Sequence, residues 1–104
     1  MDYSGDPALR PAVEAALKRV VDPEMAVDVL ELGLVYSVAV TPEAAKVQLT
    51  MTSPACPVIE IIVEDTTLEL SGALGRRVDV EIVWDPPWTP ERMSDAARRA
   101  LGDM

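Results

Sequence analysis

Between residues 46 and 52 the chain alternates without interruption, with Val47, Leu49 and Met51 on one side and Lys46, Gln48, Thr50 and Thr52 on the other. Successive side chains of a strand point to opposite faces, so this run is a strand with one apolar and one wet face. Such a strand must be covered on one side only, which restricts the fold to layered architectures. The preceding segment supplies a helix for that cover. Leu9, Val13, Ala16, Leu17 and Val20 recur at helical spacing over residues 7–20, with Glu14, Lys18 and Arg19 opposite. Asp6 suits its cap, Pro7 suits its first position, and Pro23 stops it. Thr41-Pro42-Glu43-Ala44 reads as a turn. It joins the alternating strand to one over residues 34–40, with Leu34, Tyr36, Val38 and Val40 on one face.

Residues 22–33 read as irregular, with a helical turn over 29–32 capped by Asp28 and closed by Gly33. Residues 57–70 read as a second helix, with a two-strand reading as the alternative. Val58, Ile59, Ile61, Ile62, Val63, Thr66 and Thr67 are β-branched and favour strand. Pro57 at a first helical position, acids spread along the run, and Gly72 at its end favour a helix. A third strand over 77–84 has Val78, Val80, Ile82 and Trp84 inward and Asp79 and Glu81 outward. Asp85-Pro86-Pro87-Trp88 is a stiff loop. Thr89 caps a final helix from Pro90, with Met93, Ala97, Ala100 and Leu101 on its apolar face and Gly102 past its end. The order α-β-β-α-β-α predicts an α+β two-layer sandwich, a small three-stranded mixed sheet with helices on one face. Residues 1–104 read as one domain with its core over 7–102.

Nine Lys and Arg stand against eighteen Asp and Glu, a net charge of −9. Phosphate contacts need a basic surface, so nucleic acid and anionic membrane are both excluded as partners. The absence of histidine removes Ser-His-Asp and Cys-His catalysis and His-ligated zinc. One cysteine allows no intramolecular disulfide, no CxxC pair and no four-Cys metal site within one chain. The acidic N-terminus lacks the basic and apolar regions of a signal peptide, and no apolar run approaches the roughly 18 residues of a membrane span. A cytoplasmic location is expected. There is no P-loop.

Cys56 is the residue with reactive potential. At the N-cap of a helix starting at Pro57 it would face unpaired backbone N–H groups and the positive end of the dipole, which favours a thiolate. A free cysteine is also commonly a small buried hydrophobe, and that alternative stands beside the first. Thr52 and Ser53 belong to its supporting loop. Asp22, Glu24 and Asp28 place three carboxylates on irregular chain, either as ligands or partner contacts, or as turn caps and solvated charge. Trp88 could be a docking aromatic or a cover for the core edge. Asp85 and Glu91 would serve as paired acids only at a fixed separation, which spacing does not give.

Asp22-Pro23-Glu24, Asp28, Leu32-Gly33-Leu34-Val35-Tyr36, Met51-Thr52-Ser53-Pro54-Ala55-Cys56-Pro57, Trp84-Asp85-Pro86-Pro87-Trp88-Thr89-Pro90 and Met93-Ser94 occur in that order. Together they resemble the small metal–sulfur cluster assembly domain family, over residues 9 to 102. That family includes the SUF accessory protein SufT, the cytosolic iron–sulfur targeting factors and the phenylacetate-degradation protein PaaD. The resemblance implies a compact α/β domain with a helix after Cys56, and a non-enzymatic role in iron–sulfur cluster assembly or transfer with Cys56 as the functional cysteine and metal contact. Two positions depart from the family pattern: Ala26 where Pro is usual, and Ala55 where Gly is common. The lack of a Cys-rich C-terminal extension favours the SufT-like branch over a PaaD-like maturation factor for a phenylacetyl-CoA oxygenase. Implied partners are scaffold or carrier proteins of the SUF system, a P-loop carrier ATPase, apo-protein clients and a second copy in a homodimer.

A single cysteine cannot hold a cluster alone, since clusters are usually held by four protein ligands. Any iron–sulfur cluster would be bound transiently and shared between chains or with a partner. The alternatives are an adaptor that docks clients without a cluster, and a thiol enzyme acting on persulfide or peroxide through Cys56.

Overall fold

A computed structural model describes residues 1–52 and 56–101, so the expectations for Ser53 and Gly102 fall outside the described residues. The elements are β1 (Asp2–Ser4), a 3-10 turn (Pro7–Leu9), α1 (Arg10–Leu17), β2 (Val21–Asp22), β3 (Val27–Asp28), β4 (Val35–Val40), β5 (Ala44–Leu49), α2 (Cys56–Leu74), β6 (Arg77–Ile82), a second 3-10 turn (Pro90–Arg92) and α3 (Asp95–Ala100). The fold is α+β, with a four-stranded mixed sheet in the order β1-β4-β5-β6 and a small β2-β3 hairpin. β4 and β5 are antiparallel, while β1 runs parallel to β4 and β6 parallel to β5.

The expected three-stranded sheet is therefore one strand short. β1 adds to β4 through Asp2 opposite Ser37, Tyr3 opposite Val38 and Ser4 opposite Ala39. Met1 and Tyr3 pack against the core, which begins before residue 7. Three residues are too few to show a period. The β2-β3 hairpin also lay in the segment read as irregular.

The alternation is realised over residues 46–49, whereas Thr50, expected on the wet face, is buried because β5 ends at Leu49. Val47 and Leu49 are buried while Lys46 and Gln48 are exposed. Val38, Ala45, Val47 and Leu49 share the core with Val13, Ala16 and Leu17 of α1 and Ile62 and Leu70 of α2. α1 and α2 pack on each other, and α2 packs on β6. The other side of the sheet is polar: Ser37 donates to Gln48 Oε1 (3.0 Å) and Gln48 Nε2 to Glu81 Oε1 (2.9 Å).

α2 is a helix despite its β-branched residues. It links the parallel strands β5 and β6, and a parallel connection needs a crossover that a tight turn cannot make. Ile62, Thr66 and Leu70 are its buried line, a four-residue spacing that tertiary packing rewards over local propensity. Its end falls later than expected. Gly72 lies inside the helix, and Gly75, at φ +63, closes it with its N–H on Ser71 O (2.8 Å). Only glycine takes that left-handed position without strain.

Four further expectations change. The first helix is split into a 3-10 turn, capped by Asp6 Oδ1 on Ala8 N (2.9 Å), and a shorter α1 that ends at Leu17, well before Pro23. The register of β4 shifts between Val35 and Ser37, so Val35 is buried and Tyr36 leaves the inner face. Trp84, expected inward, is 49% exposed. The C-terminal helix starts at Asp95, since Met93 is extended; Ser94 caps it through Ala97 N (3.0 Å), and Thr89 makes no such cap.

Candidate functional site

β5 ends at Leu49, and the chain stays anchored where Thr50 N–H donates to Leu34 O (2.8 Å). Met51 is buried and Thr52 half-buried. The Thr50 hydroxyl is enclosed and has no hydrogen-bond partner among the described residues. After the undescribed 53–55, Cys56 is the first residue of α2. Its backbone thus stands in a first turn whose N–H groups lack intrahelical partners and whose dipole is positive. That turn holds no acidic residue, and Glu60 follows later in the helix.

β2 packs against this same helix. Asp22 closes β2 and is 1% exposed. Its Oδ1 accepts from Glu24 N (2.8 Å) and Met25 N (3.2 Å), and its carbonyl from Ala26 N (2.8 Å). The carboxylate builds a tight turn with Glu24 exposed on it. Ala26 sits at φ +58, left-handed backbone that a proline ring cannot adopt.

Asp28 lies across the hairpin, opposite Val21, while Asp22 is opposite Val27. Its Oδ1 accepts from Leu30 N (3.1 Å) and Glu31 N (2.9 Å), capping the turn that Gly33 closes at φ +74. Trp88 reaches that turn: its Nε1 donates to Leu32 O (2.7 Å), and its half-buried ring packs against the core. Glu31 and Ser94 are hydrogen-bonded side chain to side chain. A Cβ on Gly33 would collide with the Arg92 carbonyl. Asp22, Asp28 and Trp88 are thus linked by one hairpin and its following turn, and that hairpin touches the helix that Cys56 begins.

A cleft of about 500 Å³ was not foreseen. Tyr36, Ser37, Gln48, Asp85, Pro86 and Arg92 line it. Tyr36 OH donates to Pro86 O (2.7 Å), and the Arg92 guanidinium lies over the Tyr36 ring at 4.4 Å. It escaped sequence reading because the β4 bulge turns Tyr36 outward. Glu91, once paired with Asp85 as an acid, has its carboxyl held below the ordinary range, chiefly by the Thr89 side-chain hydrogen bond. A general acid needs the opposite shift.

Among the described residues no group of three or more Cys, Asp or Glu could hold a metal ion. With one cysteine and no histidine per chain, the donor set does not suit a cluster held by this chain alone. The class so defined is a small α+β domain whose lone cysteine opens a crossover helix beside an acidic hairpin.

Residues 10–84 match the model of the iron-sulfur cluster assembly protein family, and the chain belongs to that family. It is 41% identical over 97 residues, 91% of this chain and 95% of the other, to the Bacillus subtilis Fe-S protein maturation auxiliary factor YitW. It is 41% identical to Staphylococcus aureus SufT, named in the same words, over 80% of this chain and 97% of that one. A related domain occurs in the Synechocystis iron-sulfur cluster carrier protein, at 32% identity over 89% of this chain and 26% of the carrier. The crystal structure of a DUF59 domain from Bacillus anthracis has the same fold, with a TM-score of 0.84, 41% identity, and coverage of 93% of this chain and 94% of that one.

Proposed function

We propose that the protein is an accessory factor in the maturation of iron–sulfur proteins, acting through Cys56 at the start of α2. The observation that carries this reading is the 41% identity, across nearly the whole length of both chains, to a protein named for that role. Its relatives are named as auxiliary factors, and the donor set argues for transfer in place of resident storage. The cluster is cargo. Cys56 supplies one thiolate, and the remaining ligands come from a second copy in a homodimer, a carrier or scaffold protein, or an apo-protein client. The positive end of α2 favours the thiolate, the ligating form. Asp22 and Asp28 shape the hairpin against α2, and Glu24 and Trp88 are the contacts offered to partners. The setting is the cytoplasm. The carrier relative makes a cluster-carrying ATPase a natural partner.

The test is iron and sulfide content, visible spectrum and mass in solution after anaerobic reconstitution, for wild type and Cys56→Ser together. In cells depleted of the native protein, the activity of a cluster-dependent enzyme is followed with each form. The expectation is loss of cluster transfer and of enzyme activity in Cys56→Ser, with an unchanged melting temperature. Full enzyme activity with Cys56→Ser would remove the cysteine from the function and leave an adaptor.

A further inference from the structure

The solvent face of α2 is unusual for a surface helix. Ile61 and Leu68 are 46% and 61% exposed, two of the four large hydrophobic residues so exposed among the described residues. Seven residues apart, they fall on one line along the helix, and Pro57, also exposed, extends that line toward the N-terminus. Glu64 and Asp65 lie between them, one to each side of the line, and exposed Glu60 adds to the Glu64 side. From Cys56 to Leu74 the helix carries no Lys or Arg. Its fourth acid is already satisfied: Glu69 Oε1 pairs with Arg19 Nε at 2.8 Å. The hairpin beside the helix adds Val21, 45% exposed, on the strand that packs against α2.

We infer that this face is a docking surface for a basic amphipathic helix of a partner protein. The apolar line supplies burial for a matching ridge, and the acids beside it select Lys or Arg on the partner's flanks. From Pro57 to Leu68 the line is about 16 Å long at 1.5 Å per residue, so three to four turns of partner helix cover it. A second copy fits poorly. Antiparallel packing of α2 on α2 sets Ile61 against Leu68 but brings Glu64 and Asp65 of both chains together at the crossing. Two chains each carrying −9 add to that repulsion. The inference gives the proposed function a partner surface, yet it is argued from α2 and does not depend on Cys56 chemistry.

The probe is a synthetic Leu/Lys peptide in helical register, about 15 residues long, titrated into full-length labelled protein by NMR and calorimetry. Wild type should bind it with amide shifts along α2, more weakly as salt rises, and should ignore the same peptide with Glu in place of Lys. Ile61→Glu with Leu68→Glu should raise Kd at least about tenfold, the loss expected when the central apolar contacts of an interface go. Lys46→Gln with Arg77→Gln, the same change of −2 in net charge made on the polar face of the sheet, should leave Kd unchanged. Both pairs are solvent-facing, and melting temperatures verify that each variant folds. Cys56→Ser should bind like wild type, so failure of the cysteine role and failure of this surface are read separately. Equal loss in both double variants, shifts centred on the sheet, or no binding at all would overturn the inference. So would a wild-type dimer that Ile61→Glu with Leu68→Glu dissociates, since the occupant would then be a second copy.

Discussion

Thr66 is fully enclosed on the buried line of α2, between Ile62 and Leu70, and its hydroxyl has no hydrogen-bond partner among the described residues. Its neighbour Thr67 shows the usual solution, donating back to Val63 O at 2.8 Å. A buried hydroxyl without a partner costs about 1–3 kcal/mol of desolvation. Thr66→Val keeps the shape and removes that cost, so it should stabilise the fold by about 1 kcal/mol. The urea midpoint should rise with an unchanged slope. A lower midpoint would mean that the hydroxyl is satisfied in solution. Asp28 is the contrasting case. A short polar side chain before a turn that ends in glycine announces its local bonds, and Asp28 makes them. Whether Thr66 finds a partner depends on what packs over the helix from elsewhere in the chain, which no local pattern carries. The site divides in the same way: Cys56 at a helix start was legible from Pro57 beside it. The linkage of Asp22 and Asp28 across one hairpin was not, nor was the reach of Trp88 to Leu32.

At the scale of elements, two glycines three residues apart do different things. Gly72 is helical with no atom within 4 Å of the position a Cβ would take, whereas Gly75 sits at φ +63 beyond the last turn. Gly72→Ala should therefore stabilise by roughly 0.5–1 kcal/mol, the helix-interior difference between the two residues. Gly75→Ala should destabilise by about 1 kcal/mol, the cost of left-handed backbone for an L-residue. Thermal melts of the two variants should move in opposite directions, and movement in the same direction would mean that the helix ends at Gly72 after all. Both glycines are legitimate stop signals in the sequence, and the packing of α2 between α1 and β6 decides between them. Local chemistry put the cap of the last helix at Thr89, and the structure moves it to Ser94, whose N–H donates to Glu31 O (2.8 Å) and whose side chain bonds Glu31 as well. The middle of β5, residues 46–49, was legible because it alternates and its outer face is wet, but its ends were not: it begins at Ala44, read as turn, and stops before Thr50, which is buried. β4 lost its phase at the bulge, whose position is set by pairing with β5 and not by residues 34–40 alone.

Taken whole, the molecule is dominated by unbalanced negative charge. Three ion pairs occur among the described residues, Arg10–Glu14, Arg19–Glu69 and Arg77–Asp79, and all lie at the surface. Exposed pairs contribute about 0–1 kcal/mol each, and often nothing measurable. Against them stands an excess of nine negative charges on a body with a Cα radius of gyration of 13.1 Å. At about 0.01 M salt the Debye length is ~30 Å, longer than that radius, so the excess charges repel across the whole molecule. At ~0.15 M it falls to ~8 Å and only near neighbours interact. The unfolded chain spreads the same charge over a larger volume and gains less from screening. Repulsion relieved in the native state therefore outweighs the weakening of three surface pairs. Stability should rise by about 1 kcal/mol across that range, which for a domain of this size is roughly 4–8 °C in melting temperature. Calorimetric melts in sodium chloride at constant pH test the sign directly. A falling melting temperature would show that attraction within the ion pairs controls the fold. A rising one would also separate two effects of salt that pull apart: the same screening that stabilises the free protein should weaken a basic partner on α2, because that contact draws on the very charges being screened.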